Sequence, residues 1–409
     1  MKTFSLEKFP LEKKTVLVRV DYNVPLEKNK ILDNTKIKDS LPLIKFLLKK
    51  QCKIVLMSHL GRPQGKTVQK LRLTPVIKEL KKLLPKKSII KLDDCIGKDI
   101  KRKIKQGKKK QIFVLDNLRF YKQEKENDPA FAHSLADLGD VYINDAFAVC
   151  HRKHASVDAI TKFLPSLPGI QLSKEIFYLS KALQSKSPAV WIMGGSKLDK
   201  IDLIKQALKK ADKILIGGAL AFSFLRAKGV QVGLSKVDAP SIRRAKELLK
   251  LKLAKKIILP IDFLVAEKFS AQAKEKAVKY NEIKSGEIAL DLGPQTINFF
   301  KGYLNKAKTV VWNGPLGYYE WVKYANSTKK ISRILGKVNA LKVCGGGETS
   351  LAIHKFHLTH NFSHVSTAGG ASLTFLSGKK MPGLDALIKN YHQANSKKRK
   401  LEFIKKIIR

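Results

Sequence analysis

The chain alternates between short apolar runs rich in β-branched residues and longer lysine-rich segments whose apolar positions recur at helical spacing. This alternation predicts repeated strand–helix–strand units, and therefore parallel sheets. The strands predicted in the first half are Thr15–Val20, Lys53–Ser58, Ser88–Leu92, Gln111–Leu115 and Val141–Asn144. The strands predicted in the second half are Ala189–Met193, Lys213–Ile216, Lys256–Leu259, Glu287–Leu290, Thr309–Trp312, Leu341–Cys344 and His364–Ser366.

A stretch with two prolines and a glycine, from Phe163 to Gly169, separates the two halves, and a helix-like run, Ile170–Leu183, follows it. A chain of 409 residues should also form at least two domains. We therefore predict an α/β protein with two doubly wound parallel-sheet domains that face each other across a hinged cleft. The expected parts are a first domain of residues 1–168, a connecting helix of 169–184 and a second domain of 185–371. A C-terminal segment of about 372–409 is expected to pack back on the first domain.

The residues that follow the strands differ between the two halves. Polar and charged groups follow the first-half strands, including Asp21-Tyr22-Asn23, His59-Leu60-Gly61-Arg62, Asp116-Asn117-Leu118-Arg119 and His151-Arg152. Glycines follow the second-half strands, at Gly194-Gly195, Gly217-Gly218, Gly293, Gly314, Gly345-Gly346-Gly347 and Gly369-Gly370. Ligands of open parallel sheets bind beyond the carboxyl ends of the strands. The first half is thus suited to a small anion, and the second half to a nucleotide.

The triple glycine Gly345-Gly346-Gly347 is followed by Glu348 and by a helix expected to begin near Ser350. Three residues without a Cβ let backbone amides close on a phosphate, and a helix N-terminus adds further amides. A carboxylate beside such an anion makes sense mainly if a divalent cation lies between them. The P-loop and Rossmann glycine signatures are absent from the sequence, so neither fold class is indicated.

Composition adds one unusual feature, a formal net charge of +47. Such a charge favours binding to polyanions, but lysines spread over solvated helix faces would give the same value. We favour the second explanation, although two dense basic clusters, Lys101–Lys110 and Lys397–Lys400, keep nucleic-acid binding open. The polar N-terminus, the lack of a long apolar run and four scattered cysteines indicate a cytoplasmic protein without a membrane segment.

The ordered motifs resemble those of the phosphoglycerate kinase family from about Thr15 to Leu387. The motifs that match are Arg19–Pro25, His59–Pro63, Asn144–Phe147 with His151-Arg152, Gly194–Lys197, Asp291–Pro294, Val311–Pro315, the triple glycine and Ser366–Ala371. The resemblance implies reversible phosphoryl transfer between 1,3-bisphosphoglycerate and ADP, which gives 3-phosphoglycerate and ATP and requires Mg²⁺. It also implies a glycolytic kinase with no membrane partner, and we expect a monomer.

By position, the resemblance assigns the glycerate substrate to Asp21, Asn23, Lys36, His59, Arg62, Arg119 and Arg152. It assigns the nucleotide to Gly195, Lys197, Gly218, Leu290, Gly314, Glu320, Gly347, Glu348 and Thr349, with Glu348 as the metal ligand. The residues implied in catalysis itself are Lys36, Arg152, Lys197 and Lys200. Glu320 is expected to meet the ribose and Leu290 to line the adenine pocket.

Some positions depart from the family pattern. Lys36 stands where the family has an arginine, and Glu348 stands where it has an aspartate. The spacing from Lys197 to Lys200 is one residue shorter than usual, and Ala148, Ser327 and Ala368 replace glycines. We predict an active kinase. The alternative is a catalytically weak protein of this fold that binds nucleotide or nucleic acid.

Overall fold

The computed structural model of the chain describes residues 6–196 and 201–394, so Lys197, Lys200 and the residues after 394 lie outside it. The described chain divides into two compact units. The first unit contains the residues up to Phe177 and those from Lys380 onward, and the second contains Tyr178 to Lys379. The division falls within one helix, Ile170–Leu183, whose bounds are those predicted from the sequence.

The first unit is built on a six-stranded parallel sheet with the order β5-β6-β4-β1-β7-β8. Its strands, with a short hairpin β2-β3, are β1 Thr15–Arg19, β2 Leu26–Glu27, β3 Lys30–Ile31, β4 Lys53–Met57, β5 Ile89–Lys91, β6 Ile112–Val114, β7 Val141–Asn144 and β8 Ser166–Pro168. Its helices are α1 Thr35–Lys49, α2 Thr74–Leu83, α3 Lys98–Gln106, α4 Lys122–Glu126, α5 Pro129–Ala136, the first part of α6 Ile170–Leu183, and α14 Pro382–Ala394.

Helices cover both faces of this sheet, and strand β1 shows how. Val16 and Val18 pack into one apolar cluster, while Leu17 between them packs into a second cluster on the other face. All three side chains are fully buried. Successive residues of a strand point to opposite faces, so a strand buried on both sides reads as one continuous apolar run. The side chains that remain for function therefore lie at the ends of the strands.

Helix α14 packs on the first unit through specific hydrogen bonds. The side chain of Asn390 accepts from the backbone N–H of Ser166 at 2.9 Å and donates to the carbonyl of Thr161 at 2.5 Å. The backbone N–H of Gly383 donates to the carbonyl of Cys150 at 2.9 Å. The edge strand β8 is thus held between the sheet and the C-terminal helix.

The second unit contains a six-stranded parallel sheet with the order β11-β10-β9-β15-β16-β17. These strands are β9 Ala189–Met193, β10 Lys213–Ile216, β11 Ile257–Ile258, β15 Thr309–Asn313, β16 Leu341–Gly345 and β17 His364–Val365. Its helices are the rest of α6, α7 Ile201–Lys210, α8 Leu220–Ala227, α9 Ala239–Leu249, α10 Pro294–Leu304, α11 Asn326–Gly336, α12 Gly347–Lys355 and α13 Gly370–Leu376. The predicted α/β architecture with two parallel sheets is confirmed.

A separate antiparallel sheet in the second unit corrects the prediction that all strands are parallel. It has the order β13-β12-β14 and consists of β12 Asp262–Ala266, β13 Glu275–Lys279 and β14 Ile288–Leu292. The predicted strand Glu287–Leu290 corresponds to β14, but it pairs with β12 and not with the parallel sheet. Local alternation indicates that a segment is extended, whereas its partner is chosen by contacts distant in sequence. Among the helices of the described residues, none is long and apolar enough to cross a bilayer.

Candidate active site

At the carboxyl end of β1, three of the predicted substrate residues meet. The Lys36 ammonium forms an ion pair with the Asp21 carboxylate at 2.7 Å and donates to the backbone carbonyl of Asn23 at 3.2 Å. The side chain of Asn23 accepts from the backbone N–H of Gly61 at 2.9 Å. The loops after β1 and β4 and the start of α1 are therefore held together, as the rule for parallel strand ends predicts.

His59 lies at the same edge and is almost fully buried, with 3% of its surface exposed. Burial lowers the pKa of His59 well below its usual value, and Arg19, Arg119, Lys36 and Arg152 lower it further by repulsion. The ring is therefore neutral at physiological pH.

The arginines that follow the other strands form one cationic cluster. Arg119 is nearly buried and donates through Nη1 to the carbonyl of Gly61 at 2.9 Å. Burial lowers its pKa to about 10, with Arg152 and Arg19 adding repulsion. Burial also lowers the pKa of Arg152, and Arg62 is the next cause. An anion that binds among these cations relieves their mutual repulsion, so the cluster favours anion binding.

Asn117 holds the loops that carry His59 and Arg119, a role that sequence analysis missed. Its side-chain oxygen accepts from the backbone N–H of Leu60 at 3.2 Å and of Arg119 at 3.1 Å. Its amide nitrogen donates to the carbonyls of Leu60 at 2.7 Å and Leu71 at 2.9 Å. The signal was a carboxamide two residues after the predicted strand Gln111–Leu115, but the two carbonyls to which it donates lie 57 and 46 residues away in sequence.

In the second unit, glycines let three strand-end loops come into contact. The N–H of Gly195 donates to the carbonyl of Pro315 at 2.7 Å. Gly218 has a φ of +58°, and a Cβ there would lie 2.6 Å from the Gly195 nitrogen. A Cβ on Gly194 would lie 2.2 Å from the Pro315 oxygen. These turns therefore require glycine for both close approach and backbone conformation.

These loops border a cavity of about 410 Å³ in the second unit. Five of the predicted nucleotide residues line it: Gly195, Gly218, Leu290, Glu320 and Glu348. Its walls also include aromatic residues that sequence analysis did not single out, namely Phe222, Phe263, Phe269, Tyr318 and Tyr319. Phe269, Tyr318 and Trp321 pack against one another with ring centroids 4.5–5.0 Å apart. The cavity has the size and apolar character of a site for a small organic ligand.

The triple-glycine turn enters α12 earlier than predicted. The helix begins at Gly347 and not near Ser350, after Gly346 with a φ of +99°. Gly347, Glu348 and Thr349 therefore form the first helical turn, whose amides have no partner within the helix. The hydroxyl of Thr349 accepts from the N–H of Gly314 at 2.6 Å, so Thr349 joins this turn to the loop after β15.

Lys355, the last residue of α12, supports the wall of the cavity. Its ammonium donates to the carbonyl of Tyr319 at 3.2 Å and to that of Glu320 at 2.8 Å. Burial raises the pKa of Tyr319 to about 12, and the nearby carboxylates of Glu320 and Glu348 contribute. The carboxylates of Glu320 and Glu348 are thus both close enough to raise the pKa of the Tyr319 hydroxyl.

The three positions where the sequence departs from family glycines carry no left-handed backbone, since Ala148, Ser327 and Ala368 are not among the residues with positive φ. Ser327 gains a contact that a glycine could not make, because its hydroxyl donates to the buried Asp291 carboxylate. Within residues 6–196 and 201–394, no group of three or more His, Cys, Asp or Glu side chains is arranged to hold a metal ion.

Comparison with known proteins agrees with this geometry. The family model described as phosphoglycerate kinase matches residues 6–379. The chain is 43% identical over 391 residues to a phosphoglycerate kinase of Moorella thermoacetica. The aligned region covers 95% of this chain and 99% of the relative. It is 44% identical over 392 residues to a chloroplastic phosphoglycerate kinase of Volvox carteri, over 93% of this chain and 85% of that one.

The fold is also similar to a solved structure of phosphoglycerate kinase from Coxiella burnetii. The TM-score is 0.84 at 34% sequence identity, over 96% of this chain and all of that one. The family match, the close relatives and the shared fold lead to one conclusion: the chain belongs to the phosphoglycerate kinase family of glycolytic kinases, which transfer phosphate to a carboxyl group.

Proposed function

We propose that the chain catalyses the reversible transfer of a phosphoryl group between 1,3-bisphosphoglycerate and ADP, giving 3-phosphoglycerate and MgATP. The observation that carries the glycerate assignment is the cluster of Arg62, Arg119 and Arg152 at the carboxyl edge of the first sheet, in which Arg152 lowers the pKa of Arg119 and Arg62 lowers the pKa of Arg152. Arginine forks suit phosphate and carboxylate groups, and the glycerate substrate has both. Burial of the Arg119 Nε without a hydrogen-bond partner in the described structure supports a missing anionic partner.

The glycerate substrate is held by Asp21, Asn23, His59, Arg62, Arg119 and Arg152. Lys36 supplies positive charge to the moving phosphoryl group. Because Lys36 is already paired with Asp21, this charge is positioned before the substrate arrives. The family resemblance supports these roles residue by residue.

The nucleotide binds in the cavity of the second unit. Leu290 and the aromatic wall contact the base, Glu320 contacts the ribose, and Gly195, Gly218, Gly314, Gly347 and Thr349 surround the phosphates. The lining of the 410 Å³ cavity supports the first part of this assignment. The start of α12 at Gly347 supports the second, because free amides of a helix N-terminus suit phosphate. Lys197 and Lys200 keep the catalytic roles that the resemblance implies.

Glu348 fits a magnesium ion bound to the nucleotide phosphates. Magnesium in kinases is commonly held by one or two carboxylates together with phosphate oxygens and water, so a single glutamate on the cavity wall suffices. When bound, the ion neutralises charge on the phosphates. Alignment and charge neutralisation are what phosphoryl transfer asks of a protein, and no covalent intermediate with the enzyme is needed. The hinged cleft, which would exclude water during transfer, stays a prediction.

The deciding experiment is a coupled assay of the purified full chain with 3-phosphoglycerate and MgATP, and in the reverse direction with 1,3-bisphosphoglycerate and MgADP. We expect turnover in both directions, lost in Arg119→Gln and retained in the surface variant Arg102→Gln. Absence of turnover above background, together with salt-sensitive binding of RNA or DNA, would instead favour a binding module. We further infer a cytoplasmic monomer, which fluorescence microscopy of the tagged chain and sedimentation analysis would test.

A further inference from the structure

Arg19 is a fully buried cation in the first unit whose role sequence analysis did not assign. It is the last residue of β1, after the three apolar residues Val16, Leu17 and Val18. Its Nη1 donates to the carbonyl of Val20 at 2.5 Å, its Nε to the hydroxyl of Ser156 at 3.0 Å, and its Nη2 contacts Nδ1 of His59 at 3.0 Å. Burying a guanidinium is unfavourable unless its N–H donors find partners, so a buried arginine is expected to have its contacts satisfied.

The direction of the contact with His59 follows from elementary chemistry. A guanidinium has N–H donors and no acceptor. The imidazole nitrogen that faces it must therefore accept, which means that Nδ1 carries no proton. A neutral imidazole has one N–H, so the proton resides on Nε2.

The hydrogen bonds that link Arg19 through Ser156 to Glu124 also have only one possible direction. Ser156 has a single hydroxyl proton, and its Oγ lies 2.7 Å from Oε1 of Glu124 and 3.0 Å from the Arg19 Nε. Arg19 can only donate, so the hydroxyl accepts from Arg19 and gives its own proton to the carboxylate. Glu124 is fully buried and also accepts from the backbone N–H of Ser156 at 2.9 Å.

The charge on Glu124 is consistent with this arrangement. Burial raises the pKa of Glu124, but His154, Arg19 and Ser156 outweigh that effect, and its pKa is lowered overall. His154 Nδ1 lies 3.6 Å from Oε1 of Glu124. An ionised Glu124 therefore balances the buried guanidinium and keeps it in place.

We propose that Arg19, held by Ser156 and Glu124, is a positioning residue that fixes His59 as the neutral tautomer with its proton on Nε2. The Nε2–H of His59 is then a hydrogen-bond donor to the glycerate substrate, and the ring stays neutral as the pH changes. The substrate part of this inference rests on the proposed function, whereas the tautomer of the free protein does not. The charged side chains that act most on the ring are Arg19, Arg119, Lys36 and Arg152, all of them cations that oppose a second proton.

The test is a long-range ¹⁵N–¹H correlation spectrum of the full chain labelled with ¹⁵N, recorded from about pH 5 to about pH 8. The chain has 9 histidines, and the His59→Gln variant identifies the peaks of His59 by their loss. We expect an unprotonated Nδ1 and a protonated Nε2 throughout this range. A protonated Nδ1, or a ring that becomes doubly protonated near neutral pH, would overturn the proposal.

Variants separate this positioning role from a purely structural one. Arg19→Lys keeps the charge but cannot contact Val20, Ser156 and His59 together, and Ser156→Ala removes the link to Glu124 while leaving Arg19 intact. In both we expect His59 to show mixed tautomers, and the KM for 3-phosphoglycerate to rise about three- to tenfold while the KM for ATP is unchanged. An Arg19→Lys or Ser156→Ala protein that folds and keeps the wild-type ring pattern would contradict the assignment.

Tyr142→Phe is the matched control. The Tyr142 hydroxyl donates to the backbone carbonyl of Ser156 at 2.8 Å and so borders the network without belonging to it. We expect this variant to retain both the ring pattern and the KM. If the wild-type ring has the proposed tautomer but the chain turns over no 3-phosphoglycerate, the proposed function fails and the tautomer assignment stands.

Discussion

The ammonium of Lys36 lies 2.7 Å from the carboxylate of Asp21, with the side chains 26% and 13% exposed. Lysine brings a compact charge to this position, whereas arginine would bring a planar fork that can contact Asp21 and a phosphoryl oxygen together. Under the proposed function, this ion pair is where the choice of basic residue should most affect how the charge of the transferred phosphoryl group is stabilised.

We predict that Lys36→Arg raises kcat by about three- to tenfold, because a second charge-assisted hydrogen bond forms in the transition state. Steady-state kinetics with 3-phosphoglycerate and MgATP measures it. Lys38→Arg, an exposed change on the same helix, serves as the control and should leave kcat unchanged. An unchanged or lower kcat in Lys36→Arg would show that the ion pair with Asp21, and not the fork, sets the rate.

Glu348 should determine how much magnesium the enzyme needs. Replacing the carboxylate by an amide in Glu348→Gln removes a charged ligand, so the Mg²⁺ concentration for half-maximal activity should rise at least about tenfold. Glu348→Asp should stay within about threefold of wild type, since a carboxylate is kept. The exposed Glu247→Gln is the control. Equal magnesium dependence in all four proteins would exclude Glu348 as a ligand.

Lys355 should affect nucleotide binding without touching the nucleotide. Lys355→Met removes the donor to the carbonyls of Tyr319 and Glu320 and loosens that wall of the cavity. We expect the KM for ATP to rise about three- to tenfold, the cost of one or two hydrogen bonds, with the KM for 3-phosphoglycerate unchanged. Lys329→Met is a matched control, because Lys329 lies over the same Phe356 ring but donates to Val322. A parallel rise in both KM values would indicate general loss of structure.

Asp145 should make the stability of the first unit depend on pH. Its Oδ1 accepts from the backbone N–H groups of Gln171 at 2.7 Å and Leu172 at 3.2 Å, while its Oδ2 is buried without a hydrogen-bond partner in the described structure. Burial raises its pKa from 3.8 to about 7. The folded state therefore prefers the protonated acid, and this stabilisation is complete below about pH 4 and is lost as the pH rises through about 7.

We predict that Asp145→Asn, which keeps the acceptor but cannot ionise, removes a decrease of about 2–4 kcal/mol in unfolding free energy between about pH 5 and pH 8. Urea unfolding followed by circular dichroism at both pH values measures it. In Asp137→Asn the wild-type decrease should remain, because the pKa of Asp137 is lowered by Lys101 and this acid is ionised at both values. Part of the decrease should survive, because burial also raises the pKa of Asp291 to about 7. A decrease in Asp145→Asn as large as that of the wild type would contradict the assignment to Asp145.

Much of the fold could be predicted from the sequence, because apolar periodicity is a local property. The strands Val141–Asn144, Ala189–Met193 and Lys213–Ile216 and the helix Ile170–Leu183 have the predicted bounds. The residues that follow the strands also predicted which side chains and glycine turns lie together at each sheet edge, since parallel strands end on the same side of a sheet. The family motifs then named most of the residues now found at the two edges.

What the sequence determined by itself was therefore the class of fold, the family and the type of residue at each strand end. The tertiary structure decided the pairing of β12, β13 and β14, the burial of Arg19 against His59, the hold of Asn117 on two loops and the support of Glu320 by Lys355. The contacts of Lys355 with Glu320, Arg19 with His59 and Asn117 with Leu60 join residues that are 35, 40 and 57 positions apart in sequence. Local periodicity shows which face of a strand or helix is apolar, but only packing determines which polar groups meet when those faces are buried.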